Sequence, residues 1–221
     1  MLRNTKTLEG FELRERGGEA IGRISDVYFD DVGWQVRYFL VDAGTWPALR
    51  AVFISPAALT VCDWHEGQFR TDLTRKHVEK LPAIDVERAF SSQHEGNARN
   101  APVRNHAEFM PVPEARISGE NQSRQLWSAQ IARRYGLAGT DGSMGHVEDL
   151  VIDEATWQVR HVLVETRNWW PGKKVAIPVA VVVGIDRPSR RITVALTCDQ
   201  IDQALEFDPG SCPVHACPRY D

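Results

Sequence analysis

Apolar and polar residues fall in short runs along most of the chain, and the runs are those of strands. Ile21 to Asp30 and Trp34 to Asp42 are rich in valine, isoleucine and aromatic residues, the composition that suits a pleated, half-buried surface. Between them, Asp30-Asp31-Val32-Gly33 reads as a hairpin turn. A second hairpin is predicted from Met144 to Glu165, turning at Asp153-Glu154-Ala155-Thr156. Val52-Phe53-Ile54 and Val175-Ala176-Ile177 are each followed by proline within two residues, where a strand must end. Arg191 to Leu196 alternates after a turn at Asp186-Arg187-Pro188-Ser189. Thr197 and Gln200 then have capping-box spacing, which predicts a short helix with Ile201 and Leu205 on one face. Thr74, Val78 and Leu81 occupy matching places earlier in the chain, with His77 where the later helix has glutamine.

These elements come in two sets because the sequence is duplicated. A shift of 123 residues lays Gly22 to Asp30 on Gly145 to Asp153, and Trp34-Gln35-Val36-Arg37 on the identical Trp157-Gln158-Val159-Arg160. Between residues 22 and 85 there are 17 identities in 64 ungapped positions, against about four by chance, so the likeness is a true repeat. Residues 86–122 differ in kind: they contain no leucine, tryptophan or tyrosine and offer little apolar surface to bury. The expected organisation is a first unit over residues 1–85, a polar linker over 86–123, a second unit over 124–208 and a tail over 209–221. The expected class is mainly β, two small tandem barrels each ending in a short helix, because closure removes exposed sheet edges.

The repeated pattern Gly-x-[IV]-x-Asp-[VL]-x-[FI]-Asp, followed by Trp-x-[VI]-Arg-[YH]-x-Leu-Val-[DE] and by Trp169-Trp170-Pro171-Gly172-Lys173-Lys174-Val175-Ala176-Ile177-Pro178, resembles the PRC-barrel family. That family includes the C-terminal barrels of the photosynthetic reaction-centre H subunit and of a ribosome-maturation factor. The resemblance implies a stand-alone tandem member whose relatives serve as docking or assembly subunits, with a link to photosynthetic or membrane electron-transport complexes. In the first copy, Trp46-Pro47-Ala48-Leu49-Arg50 replaces the fuller Trp169 to Lys174 loop and lacks its Gly-Lys turn. A counterpart of the reaction-centre subunit's membrane anchor is not expected here, and fold likeness alone does not fix function.

Charge and composition narrow the classes. Twenty-six basic against thirty acidic residues give a formal charge of -4, which argues against a nucleic-acid binder. The apolar window Val175 to Ile185 is broken by Pro178 and is too short to span a bilayer. No secretory h-region follows Met1, so the expected setting is cytoplasmic. Cys62 and Cys198 are then expected to be free thiols packed as small hydrophobes.

Candidate chemistry is sparse. The repeated acids Asp26/Asp149, Asp30/Asp153 and Asp42/Glu165 lack the convergence an acid–base pair requires, since residues four apart on a strand lie about 13 Å apart. Turn hydrogen bonding accounts for Asp30 and Asp153. Arg37 and Arg160 either fork onto an acidic partner beside Trp34 and Trp157, or form outward polar pairs next to core-facing tryptophans. Trp46, Trp169 and Trp170, with Lys173, sit in loops where strand packing does not require large aromatics, and they suit a partner surface or a plug over a barrel end. Cys212, His215 and Cys217 form the one metal-like cluster, a metal- or redox-responsive alternative that lacks a fourth ligand. No phosphate-loop, zincin or nucleophile-elbow motif is present. The reading is therefore a non-catalytic interaction module without a cofactor. Its protein partner is unidentified, and the two copies pack as a pseudo-dimer or two chains form a homodimer.

Overall fold

The computed structural model describes residues 1–43, 50–84, 125–165 and 174–202. The first set of strands is β1 (Leu2–Asn4), β2 (Glu12–Glu15), β3 (Ala20–Asp30), β4 (Val36–Ala43), β5 (Arg50–Ile54), β6 (Leu59–Asp63) and β7 (Gln68–Thr71), closed by helix α1 (Arg75–Lys80). The second is β8 (Leu126–Ser128), helix α2 (Ala129–Ala132), β9 (Gly136–Ala138), β10 (Ser143–Asp153), β11 (Gln158–Glu165), β12 (Lys174–Pro178), β13 (Val182–Asp186), β14 (Arg191–Val194) and helix α3 (Cys198–Asp202). Both predicted hairpins are present as β3–β4 and β10–β11, each antiparallel and each interrupted by two bulges. The helix caps form as the spacing predicts: Thr197 and Gln200 bond reciprocally, and His77 Nδ1 accepts the Thr74 N–H in the first copy. Histidine thus does the work of the missing glutamine.

Two seven-stranded sheets result, ordered β5-β4-β3-β2-β7-β6 and β12-β11-β10-β9-β14-β13, each with one further strand on its long central strand. Among the described residues the expected closed barrels are not formed. Strands β5 and β6 follow one another through a 3-10 turn at Pro56–Ala58 but do not pair, and neither do β12 and β13. With no ladder between these strands among the described residues, each sheet stays open.

The further strand of each sheet comes from the other copy. Strand β1 pairs with β10, and β8 pairs with β3. Asn4 stands opposite Val151 and Ser128 opposite Tyr28, so the two arms are structural equivalents offset by 124 residues rather than 123. Their apolar residues are deeply placed: Leu8 is 0% and Trp127 1% exposed. A single core cluster runs from Leu8 to Ile201 through both sheets, as expected when each sheet carries a piece of the other copy. Gly22 on β3 admits close strand approach, since a Cβ there would stand 2.3 Å from the Asp42 carbonyl. Among the described residues no helix is long and apolar enough to cross a membrane.

Candidate functional site at the junction of the two halves

The identical Trp-Gln-Val-Arg segments meet each other. Gln35 and Gln158 form an isolated antiparallel bridge. Val36 N–H donates to the Trp157 carbonyl at 2.8 Å, and Val159 N–H to the Trp34 carbonyl at 2.7 Å. Gln35 Nε2 donates to the carbonyls of Thr156 (2.8 Å) and Trp157 (3.0 Å), and Gln158 Nε2 to that of Gly33 (3.3 Å). Such reciprocity is the signature of an isologous contact, here made within one chain. It explains why the longest identity of the repeat lies at these residues, because both copies must satisfy the same contact. The turn geometry has a cost: Trp34 and Trp157 sit at φ 52° and 57°, a left-handed conformation uncommon outside glycine.

Trp34 stacks on Phe29 of its own copy at 5.4 Å and is 8% exposed. Trp157 instead enters the aromatic cluster of the first copy, 5.1 Å from Phe39, 5.7 Å from Trp64 and 5.9 Å from Phe69. Arg37 and Arg160 turn outward, and each faces its own hairpin aspartate. Arg37 Nε lies 2.6 Å from Asp30 and Arg160 Nη2 3.7 Å from Asp153. Asp30 also accepts the Val32 and Gly33 N–H groups, and Asp153 that of Ala155.

Each arm is pinned by a buried carboxyl of the opposite copy. Asp26 accepts the Ser128 hydroxyl (2.5 Å), the Gln130 N–H (3.1 Å) and the Val27 N–H (2.7 Å). Asp149 accepts the Thr5 hydroxyl (2.6 Å), the Lys6 N–H (3.2 Å) and the Leu150 N–H (2.8 Å). Burial pushes the Asp26 carboxyl up to about 6, against donors that pull it down, and raises Asp149 in the same sense. Around them, Arg133 joins Glu9 and approaches Asp149 at 3.6 Å. Arg3 pairs with Glu154 at 2.9 Å, Trp127 Nε1 donates to Asp31 at 3.1 Å, and Arg187 lies 4.4 Å over the Trp127 ring. Strand spacing separates acids of one strand, such as Asp26 and Asp30, by about 13 Å. The partners of Asp26 and Asp149 lie on the exchanged arms, whose residues carry no pairing signal of their own.

One cavity of about 270 Å³ opens beside the β1 arm, lined by Asn4, Lys6, Thr7, Glu148, Asp149, Leu163 and Lys174. Near it, His146, Glu148 and Glu165 bring donor atoms within 4.8 Å of one another. They are already matched, His146 Nε2 to Glu165 at 3.2 Å and Lys174 to Glu148 at 3.1 Å. His146 Nδ1 is buried without a hydrogen-bond partner among the described residues, so a metal on Nε2 would strand a proton there. The donor set does not fit a resident ion. His161 is buried, and burial holds its imidazole below the usual range, which suits packing. Cys62 and Cys198 are free and partly buried, each thiol raised chiefly by burial. Trp46, Trp169, Trp170, Lys173, Cys212, His215 and Cys217 lie outside the described residues, as do the linker and the tail.

A family model described as the PRC-barrel domain matches residues 4–77 and 138–201. No curated protein matches the chain. The two matched segments cover more than half of the chain and each falls on one copy of the repeat, so the protein belongs to the PRC-barrel family and carries its domain in tandem.

Proposed function

We propose that this protein is a non-catalytic assembly or adaptor module, in which two clasped PRC-barrel units present their outer surfaces to protein partners. One observation carries the reading. The polar groups that the duplication brings together, Asp26, Asp149, Gln35 and Gln158, are engaged in joining the halves, and they do not converge with a nucleophile on an open cavity. The contact residues proposed are Trp46, Trp169, Trp170 and Lys173, together with Arg37 and Arg160, whose side chains are 39% and 43% exposed. Resemblance to the reaction-centre subunit supports a finer form, docking from the cytoplasm onto a membrane photosynthetic or electron-transport complex, by a monomer or a homodimer.

Affinity purification from native cells, with wild type and a Trp169→Ala/Trp170→Ala variant side by side, tests the proposal. Partners that co-purify with the wild type and are lost with the variant support it. Unchanged partners and unchanged assembly size remove the tryptophans from the account. Stoichiometric metal that disappears on deleting residues 209–221 would instead favour the Cys212, His215 and Cys217 reading.

A further inference from the structure

Asp26 and Asp149 occupy the same place in the two long strands, and each holds the arm delivered by the other copy. Both are 2% exposed. When the β8 arm leaves, Asp26 loses the Ser128 hydroxyl and the Gln130 N–H and keeps only its neighbour Val27. Release of the β1 arm likewise strips Thr5 and Lys6 from Asp149 and leaves Leu150. Docking therefore moves a carboxyl between water and a buried pocket, so its proton equilibrium is coupled to the docking equilibrium. We propose that the exchanged arms form a proton-sensitive clasp, which holds the two halves more tightly in mild acid than above neutrality. The coupling is additional to the adaptor role and does not depend on it.

The sign follows from the surroundings. On the strand of Asp26, Tyr28 is held neutral by burial and by Asp26 itself. From α2, Arg133 favours the charged form of both acids but is shared with Glu9. Lys6 reaches Asp149 through its backbone N–H, and the adjacent Glu148 is occupied by Lys174. Burial outweighs these donors and charges at both sites. A docked acid thus keeps its proton at a pH where a freed one has lost it. For Asp26 the support for docking is complete below the ordinary value of 3.8 and is lost as pH rises through about 6. Arm docking is expected to weaken about tenfold between pH 5 and pH 7.5, since each pH unit within that window changes the equilibrium by up to tenfold.

Hydrogen exchange at the Gln130 and Ile131 amides of the full chain reads the arm directly, after correction for intrinsic exchange rates, with Val41 in β4 as an internal reference. The expected result is about tenfold greater protection of the arm amides at pH 5 than at pH 7.5 in the wild type. Asp26→Asn, which cannot ionise, should show a flat profile. Protection that changes less than twofold in the wild type, or equally in the variant, overturns the proposal. Should Asp26→Asn not fold, the carboxyl ¹³C titration of wild-type Asp26 decides: a midpoint near 6 supports the clasp, and one near 4 overturns it.

Discussion

Trp127 offers the sharpest test of the arm exchange. It belongs to the second copy in sequence, yet it lies in the sheet of the first, opposite Phe29 and 1% exposed. Its indole N–H donates to Asp31 at 3.1 Å, the Arg187 guanidinium covers its face at 4.4 Å, and Tyr135 meets it edge-on at 6.1 Å. Trp127→Ala removes a large buried ring, and such truncations cost about 3–5 kcal/mol when the site cannot collapse. The lost hydrogen bond adds little, because Asp31 still receives the Gln125 N–H at 3.0 Å. In a chain of this size a loss near 4 kcal/mol lowers the melting temperature by about 8–16 °C. Circular dichroism melts alongside urea titrations would measure it. Because the core runs through both sheets, a single cooperative transition should move as a whole. A shift below about 2 °C, well under what the buried ring predicts, would refute the docked position of the arm. A split in which only second-copy probes move would refute the shared core.

Three further outcomes follow from local chemistry. Arg37 closes on an Asp30 carboxylate that is 4% exposed, whereas Arg160 stands 3.7 Å from a more open Asp153. Arg37→Ala should therefore cost about 1–2 kcal/mol in urea unfolding and Arg160→Ala less than about 0.5 kcal/mol. Gly22→Ala forces a methyl against the Asp42 carbonyl and should cost about 1–3 kcal/mol, the range for overpacking; a neutral result would show that the β3–β4 pairing is looser than described. His161 has its imidazole lowered by burial and by Arg160, so the unfolded chain takes up the proton first. Its contribution is present above the ordinary value of 6.5 and is lost as pH falls below it. His161→Tyr, which copies Tyr38 of the other unit, should flatten that acid-side loss in melts between pH 7 and pH 5.

Much of this architecture was legible in the residues. Runs rich in valine, isoleucine and aromatics around polar turns located the hairpins, the Trp-Gln-Val-Arg identity marked the repeat, and the capping spacing located α3. What stayed hidden was hidden for physical reasons. The arms share a strand position at an offset of 124 residues while the rest of the repeat keeps 123, so an ungapped comparison slides past them. They also share few residue types, since Trp127 and Arg3 fill equivalent places against different neighbours. The partners of Asp26 and Asp149 are far away in sequence, and no strand period marks a carboxyl that is satisfied from another copy. Barrel closure was expected from the need to protect edges, but the corners after β5 and β12 turn the chain without pairing its two sides. Alternation groups Gln35 with Arg37, yet Gln35 and Gln158 join the two copies, while Arg37 and Arg160 each face a hairpin aspartate.

The two halves of one chain embrace through their repeated segments, and a disulfide engineered across that contact puts the embrace to experiment. Opposed residues of an antiparallel bridge have Cα atoms about 4.5–5.5 Å apart, within the range a disulfide spans. In a chain with Cys62, Cys198, Cys212 and Cys217 replaced by alanine, Gln35→Cys/Gln158→Cys should close within the monomer under mild oxidation, giving a faster-running species that reduction reverses. Free thiols that persist in the folded protein, or bonds that form only between chains, would contradict it.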